Sequence, residues 1–351
     1  MTTESEYLII GQGLAGSCLA HELQQAGKSV AIIDKGDKEG ASWIGAGIMN
    51  PLVLRYITQG WKAEILLPYA RNFYSELEKE LNITLIYDLP IARILTENEH
   101  KNWKAKVLKP EIGQWTNGAL HFPFHPDHII NDFGVVIIND TARVDMATLV
   151  SSLREVFIQH KIYHEQTFDY EDLHKYDEGF KYKGINARYV IFCEGYQSVT
   201  NPYFRWIPYR PVKGELLKLY IPNLEDNFII NRHVFILPLG NRYFKLGSGY
   251  DWNDLSNKPT PQARDTLLKK AKEILRIPFD LVDHTAGIRP SVADRRPVVG
   301  AHPKYRNMFI LNGLGAKGAM LAPYMARQLV DLMVRDKPVI REVDPARFFS
   351  P

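Results

Sequence analysis

A chain of 351 residues, 45% hydrophobic, 24% charged and with a formal net charge of +3, has the composition of an ordinary soluble globular protein, long enough for one large or two interleaved domains. It contains no lysine- or arginine-rich block of nucleic-acid type, and no uninterrupted apolar run approaches the roughly 18 residues that span a bilayer. The acidic start MTTESEYLII lacks the regions of a signal peptide, and Cys18 and Cys193 lie in apolar segments, so a disulfide-free cytoplasmic protein with small anionic partners is expected.

Tyr7 to Ile10 is a short apolar run of buried-strand type that ends in Gly11-x-Gly13-x-x-Gly16. At that spacing Gly11 permits a tight turn, Gly13 a close approach of pyrophosphate and Gly16 a close packing of helix on strand. The helix predicted next places Ala15, Leu19, Leu23 and Ala26 on one face and stops at Gly27. A second strand, SVAIID, ends in Asp34, about 20 residues past the glycines, where a carboxylate meets ribose hydroxyls. The phosphates belong at the helix N-terminus, against free amides and the positive end of the dipole. An acid at the end of the second strand argues against a 2′-phosphate and leaves FAD or NAD. The following GASWIGAGIMNP, residues 40–51, favours FAD, because a glycine-rich, nearly uncharged loop lets backbone approach a flat ring. In it Ser42 reaches towards a phosphate and Gly45 to Met49 lie along a flavin.

Residues 60–82 predict one amphipathic helix with Ile65, Tyr69, Phe73 and Leu77 on its apolar face. Residues 83–139 and 210–250 alternate short β-type runs with turns, which suggests an antiparallel sheet outside the nucleotide domain. Residues 143–161 are expected to be helical, 187–195 a buried strand, and 260–276 a helix opened by Pro261. The chain closes with a strand at 307–312, the glycine turn GLGAKG at 313–318 and a long helix at 319–335, a second strand–turn–helix unit. His121, His125 and His128 do not have the spacing of a helical zinc site, so no metal is expected. No GxSxG elbow supports a serine hydrolase. Before the final unit, AGIRPSVADRRPVVGAHP (286–303) carries Arg289, Arg295 and Arg296. By themselves these three cations fit a solvated turn, a phosphate patch or a clamp for a small anion.

Taken together, GQGLAG with Asp34, the GAS…GAGI loop, RVDMATLV, YVIFCEG, VKGELLKL, GIRP…DRRPVVG and GLGAKGAMLAP resemble the flavin-dependent D-amino-acid oxidase / glycine oxidase / sarcosine oxidase family. The resemblance spans nearly the whole chain. It implies an α/β (α+β) fold with a discontinuous Rossmann-like FAD-binding domain (1–55, 140–212 and 286–351). A substrate domain on a large antiparallel sheet (56–139 and 213–285) would complete it. It also implies that FAD is held non-covalently by Gly11, Gly13, Leu14, Ala15, Gly16, Asp34, Lys35, Ser42, Ala46, Gly47, Gly195, Gly313, Gly315, Ala316, Lys317 and Gly318. Two departures stand out: Asp34 where glutamate is usual, and Cys193-Glu194-Gly195 where Ala-Thr-Gly or Ala-Gly-Gly is usual. No cysteine lies near 313–318, so a cysteinyl–flavin bond is not supported.

The implied chemistry is oxidation of an amine beside a carboxylate, with hydride passing to flavin N5, hydrolysis of the imine, and oxygen or another acceptor reoxidising the flavin. Such a substrate needs a cation, best a planar arginine. Arg289 is the leading candidate because GIRP is similar to the family's GLRP. Lys317 opens a helix, a position unfavourable for a cation unless an anion is present. Arg55 is a third candidate, and Lys245 is similar to the sarcosine oxidase lysine linked to reaction with oxygen. Arg295 and Arg296 are expected to form exposed ion pairs with Asp294. The expected substrates are glycine, sarcosine, a small D-amino acid or a secondary amino acid. Alternatives are oxidation of a carboxymethylaminomethyl group on a modified tRNA uridine, the one case in which nucleic acid would be a partner, and oxidation of a 2-hydroxy acid, which calls for a histidine base near the flavin.

Overall fold

The computed structural model describes residues 3–120, 123–176 and 178–349. Two eight-stranded sheets organise it. The centre of the first is built from apolar runs buried on both faces, as parallel strands require, with antiparallel strands added at its margins. Strand Thr3–Ile10 lies between Val30–Asp34 and Ile185–Phe192, all parallel, and Met308–Asn312 adds beside the C-terminal half of Ile185–Phe192. Leu8, Ile9, Ala31, Ile32 and Ile191 are completely buried. The chain therefore leaves Thr3–Ile10 to one side first and returns to the other side later. The crevice that opens at the carboxyl end of that strand is where an open α/β sheet takes its ligand.

The second sheet runs in the order Asp280–Arg289, Val212–Tyr220, Tyr243–Gly247, Phe235–Gly240, Ile229–Asn231, Ile91–Ile94, Val135–Ile138, Thr116–Leu120. It is antiparallel except where Ile229–Asn231 pairs in parallel with Ile91–Ile94, the seam joining its two chain segments.

Three helices brace the nucleotide end. Leu14–Gln25 and Gly318–Arg335 share one core through Leu19, Leu23, Met325 and Leu329. Ala63–Leu81 packs on the latter, and the Tyr74 hydroxyl donates to Ala319 O at 2.7 Å. Its buried face is Leu66, Leu67, Ala70, Phe73, Tyr74 and Leu77, while Ile65 is exposed. The expected stripe of strict four-residue steps fails at Ile65 because each such step overshoots a helical turn by about 40°.

Residues 83–139 hold more than strands. Glu97–Lys106 is a helix whose capping box, Thr96 with Glu99, stands in the sequence as TENE and identifies its start. The expected loop at 40–51 contains a short helix, Ala41–Ile44, and a strand, Ile48–Met49. The expected helix at 143–161 is Met146–Gln159, preceded by strand Ala142–Val144. No helix among the described residues is long and apolar enough to cross a membrane.

Candidate active site

The first glycine turn is built on steric exclusion. Gly11 has φ +98°, and a Cβ there would stand 2.6 Å from Cys193 O. Gly16 packs so closely on Gly11 O that no side chain fits. Gly13 caps helix Leu14–Gln25 without a side chain, and Ser42 Oγ accepts from Leu14 N at 2.9 Å. The Ser42 hydroxyl hydrogen is left to point at whatever anion the helix end receives.

Asp34 closes this end. Its Oδ2 accepts from Gln12 N at 2.8 Å, and its Oδ1 accepts from Gly36 N at 2.9 Å and Arg154 Nη2 at 3.1 Å. Arg154 also donates through Nε to Gln12 Oε1 at 2.6 Å and through Nη1 to Gly36 O at 2.9 Å. Oδ2, with a single protein donor, keeps acceptor capacity for a hydroxyl.

From this turn a cavity of about 810 Å³ runs to the second sheet. Gly11, Gly13, Leu14, Ala15, Asp34, Lys35, Ser42, Ala46, Gly47, Gly195, Gly315, Ala316, Lys317 and Gly318 all line it. Gly16 and Gly313 do not. Each is a packing position, Gly313 turning at φ +73° against Val292 and Val298. An acceptor at a strand end, a helix N-terminus capped by a glycine with no side chain of its own and a long glycine-lined channel fit an FAD molecule. The wall includes Glu194, whose carboxylate accepts from Asn201 Nδ2 at 2.7 Å, from Ser198 Oγ at 3.4 Å and from the Tyr170 hydroxyl. Burial nonetheless raises its pKa.

At the far end Arg289 lies in the wall on the last residue of strand Asp280–Arg289. Its Nη2 donates to Ser248 Oγ at 2.6 Å, both Nη groups approach Gly249 O at 3.4 Å, and its guanidinium lies 4.8 Å from the Tyr250 ring centre. It fills the space a side chain on Gly214 would need. All these partners are neutral, and among the described residues no carboxylate pairs with Arg289. Burial pulls its pKa down.

Lys317 also lines the cavity, at the cap of helix Gly318–Arg335, with Nζ 2.9 Å from where a Cβ on Gly60 would stand. It likewise has no carboxylate partner among the described residues. Burial, then the charge of Arg296, lowers its pKa.

The other candidate cations fall elsewhere. Arg55 is exposed outside the wall, against the ring of Tyr56. Lys245 is not among the residues lining the cavity; it donates to Ile44 O at 3.0 Å and Gly45 O at 3.2 Å and so holds the loop at 40–51. Its long side chain on a strand facing that loop finds two free carbonyls before it finds the cavity. The Asp294 carboxylate pairs with Arg347 Nε at 2.9 Å and accepts from the Arg296 backbone N–H at 3.0 Å. Among the described residues it makes no ion pair with the side chain of Arg295 or Arg296; the Arg296 guanidinium lies 5.0 Å from the Trp61 ring centre. Arg295, at φ +58°, turns the chain there.

His128 pairs with Glu225 at 3.3 Å, and no metal-binding cluster occurs among the described residues, of which His121 is not one. Both cysteines are free and buried. The residues missed in the sequence are Arg154, Glu194, Ser248 and Tyr250. Only Glu194, an acid closing an apolar strand, carried a local signal.

The family model described as DAO, FAD dependent oxidoreductase, matches residues 6–332. The chain is 26% identical to a glycine oxidase of Pseudomonas aeruginosa over 97% of each chain. It is 24% identical to the tRNA 5-methylaminomethyl-2-thiouridine biosynthesis bifunctional protein MnmC of Legionella pneumophila, with 98% of this chain spanning 57% of that protein. The structure of glycine oxidase from Geobacillus kaustophilus superposes with a TM-score of 0.80 at 20% identity, covering 99% of this chain and 98% of that one.

Proposed function

The chain belongs to the DAO family of FAD-dependent oxidoreductases, and from that premise we propose that it oxidises a small amine-bearing carboxylate, of the glycine, sarcosine, D-amino-acid or secondary amino-acid type, at the C–N bond. One observation carries this reading: Arg289 is a largely buried cation in the cavity wall with only neutral protein partners. A cation is seldom left in such a place unless a ligand supplies the anion. The glycine oxidase relatives support the same substrate class.

Bound FAD supplies the redox chemistry, taking the two electrons and the hydrogen that leave the carbon beside nitrogen. The chain's own work is placement. Arg289, locked by Ser248 and Gly249, binds the carboxylate in a fixed orientation. Lys317, another wall residue, adds positive charge at the N-terminus of helix Gly318–Arg335, whose dipole also favours an anion. Tyr250 covers the face of the guanidinium and narrows the pocket. The imine product hydrolyses in water after release, and oxygen or another acceptor restores the flavin. The two sheets correspond to a division of labour, nucleotide on the first and substrate on the second.

The similarity to the tRNA-maturing protein favours a second reading, in which the carboxylated amine is carried on a modified uridine. Oxidation of a 2-hydroxy acid draws less support, because the single imidazole lining the cavity among the described residues, His233, is exposed.

The test is anaerobic titration of the FAD-loaded protein with glycine, sarcosine, D-alanine and proline. Bleaching of the flavin by at least one, reversed on admission of air or an artificial acceptor, is the expected result. A flavin that no carboxylated amine bleaches, but a 2-hydroxy acid does, would overturn the reading.

A further inference from the structure

Beyond Arg289 the pocket continues into an aromatic ladder. The Tyr250 ring centre lies 4.8 Å from the guanidinium, and the ring also stacks with Trp252, centroids 5.9 Å apart and planes at 19°. Tyr250 lines the cavity; Trp252 stands outside its rim. Both rings are largely open to water, at 61% and 60% exposure, although large apolar rings are ordinarily buried.

The loop that presents them is held by an unusual device. Lys213, with a fully buried side chain, directs its ammonium to Asp254, to Lys258 O and, at 3.5 Å, to Ser256 Oγ. Backbone hydrogen bonds pair Lys213 with Asp251 in both directions, at 2.8 and 3.0 Å. Asp251 Oδ1 then accepts from Asn253 N and Asp254 N. Burying an ammonium is costly, and here it anchors a short surface segment whose most prominent feature is an exposed tryptophan. The rings are thus presented in a fixed place, adjoining Arg289 and stacked on one another, with most of their surface open to water.

We propose that Tyr250 and Trp252 form a specificity platform, onto which a substrate whose carboxylate is held by Arg289 lays a flat apolar substituent. The protein accordingly prefers amine-bearing carboxylates with such a group over glycine or sarcosine. This rests on the function proposed above. The platform acts on binding and not on the chemical step, so its loss raises KM and leaves kcat nearly unchanged.

The test compares N-benzylglycine and D-phenylalanine with sarcosine and glycine, in wild type, Trp252→Ala and Trp252→Phe. Wild type is expected to favour one of the aromatic substrates in kcat/KM. Trp252→Ala should reduce that value about five-fold, through KM, for the favoured substrate while leaving sarcosine and glycine within two-fold, and Trp252→Phe should restore most of it. The exposure of Trp252 makes the substitution tolerable to the fold. The platform is overturned if Trp252→Ala affects all substrates equally or none, or if wild type turns over only the small amines. A wild-type flavin that no carboxylated amine bleaches would instead remove the underlying function.

Discussion

Arg154 Nη2 stands 3.1 Å from Asp34 Oδ1, joining a helix to a strand end 120 residues earlier in the chain. The same guanidinium holds Gln12 and Gly36, so it fixes both the Asp34 carboxylate and the first glycine turn, to which we assign the ribose and phosphates of FAD. Arg154→Ala should therefore weaken FAD binding by roughly tenfold, as loss of a charged hydrogen bond implies, with substrate KM unchanged at saturating FAD. Titration of the apoprotein by flavin fluorescence measures it. Arg154→Lys should rescue little, because one ammonium cannot replace a three-way fork.

Arg289→Leu should leave FAD bound and abolish bleaching by carboxylated amines. Losing a charged pair of hydrogen bonds to the carboxylate costs about 3 kcal/mol or more, roughly a hundredfold in kcat/KM. Unchanged substrate affinity in the variant would refute the clamp.

The pKa of Lys317 is lowered by burial and then by Arg296. A lysine with a lowered pKa loses its charge below the ordinary value of 10.5 as pH rises. Affinity for a non-oxidisable carboxylate such as acetate, followed by the flavin spectrum, should fall as pH rises through that lowered pKa. Lys317→Arg should move the fall out of the accessible range, and Arg296→Met should shift it upward. A binding profile identical in wild type and Lys317→Arg would exclude Lys317 from the anion site.

Lys245 donates to the Ile44 and Gly45 carbonyls of the loop at 40–51 and is not itself a wall residue of the cavity. Lys245→Met should lower FAD affinity several-fold while the rate of flavin reoxidation by oxygen, measured with FAD saturating, stays within about two-fold. Slow reoxidation with unchanged FAD affinity would restore the oxygen-activating role that the resemblance implies.

Burial raises the pKa of Glu194 above the ordinary carboxylate value in spite of its three donors. A raised folded-state pKa contributes stability that is complete below the unfolded value of 4.5 and is lost as pH rises through the folded one. The Tm of wild type relative to Glu194→Gln should fall across that window and level off above it. A difference independent of pH would show that Glu194 titrates as it does in the unfolded chain.

The nucleotide end was legible from local features because its determinants are local. Gly11, Gly13, Gly16 and Asp34 belong to one strand–turn–helix–strand unit, and such a unit can place a pyrophosphate wherever it occurs. Ser42 followed, since the loop carrying it comes directly after that unit. The helix Glu97–Lys106 is equally local in origin, its capping box standing among β-type runs that mask it.

Chain order and residue type alone thus determined the family, the cofactor and the position of the leading arginine. They ranked Arg289 ahead of Lys317, Arg55 and Lys245 but did not say which of the four side chains face a common cavity, because charge and motif carry no direction. Which of them face the cavity was decided by the tertiary structure. Strand register turns Arg289 into the cavity wall against neutral groups and Lys245 onto backbone carbonyls, the turn before helix Gly318–Arg335 brings Lys317 to the wall, and Arg55 stays in water. The electrostatic value of a charge depends on its burial and its partners, and both are set by residues far away in the chain.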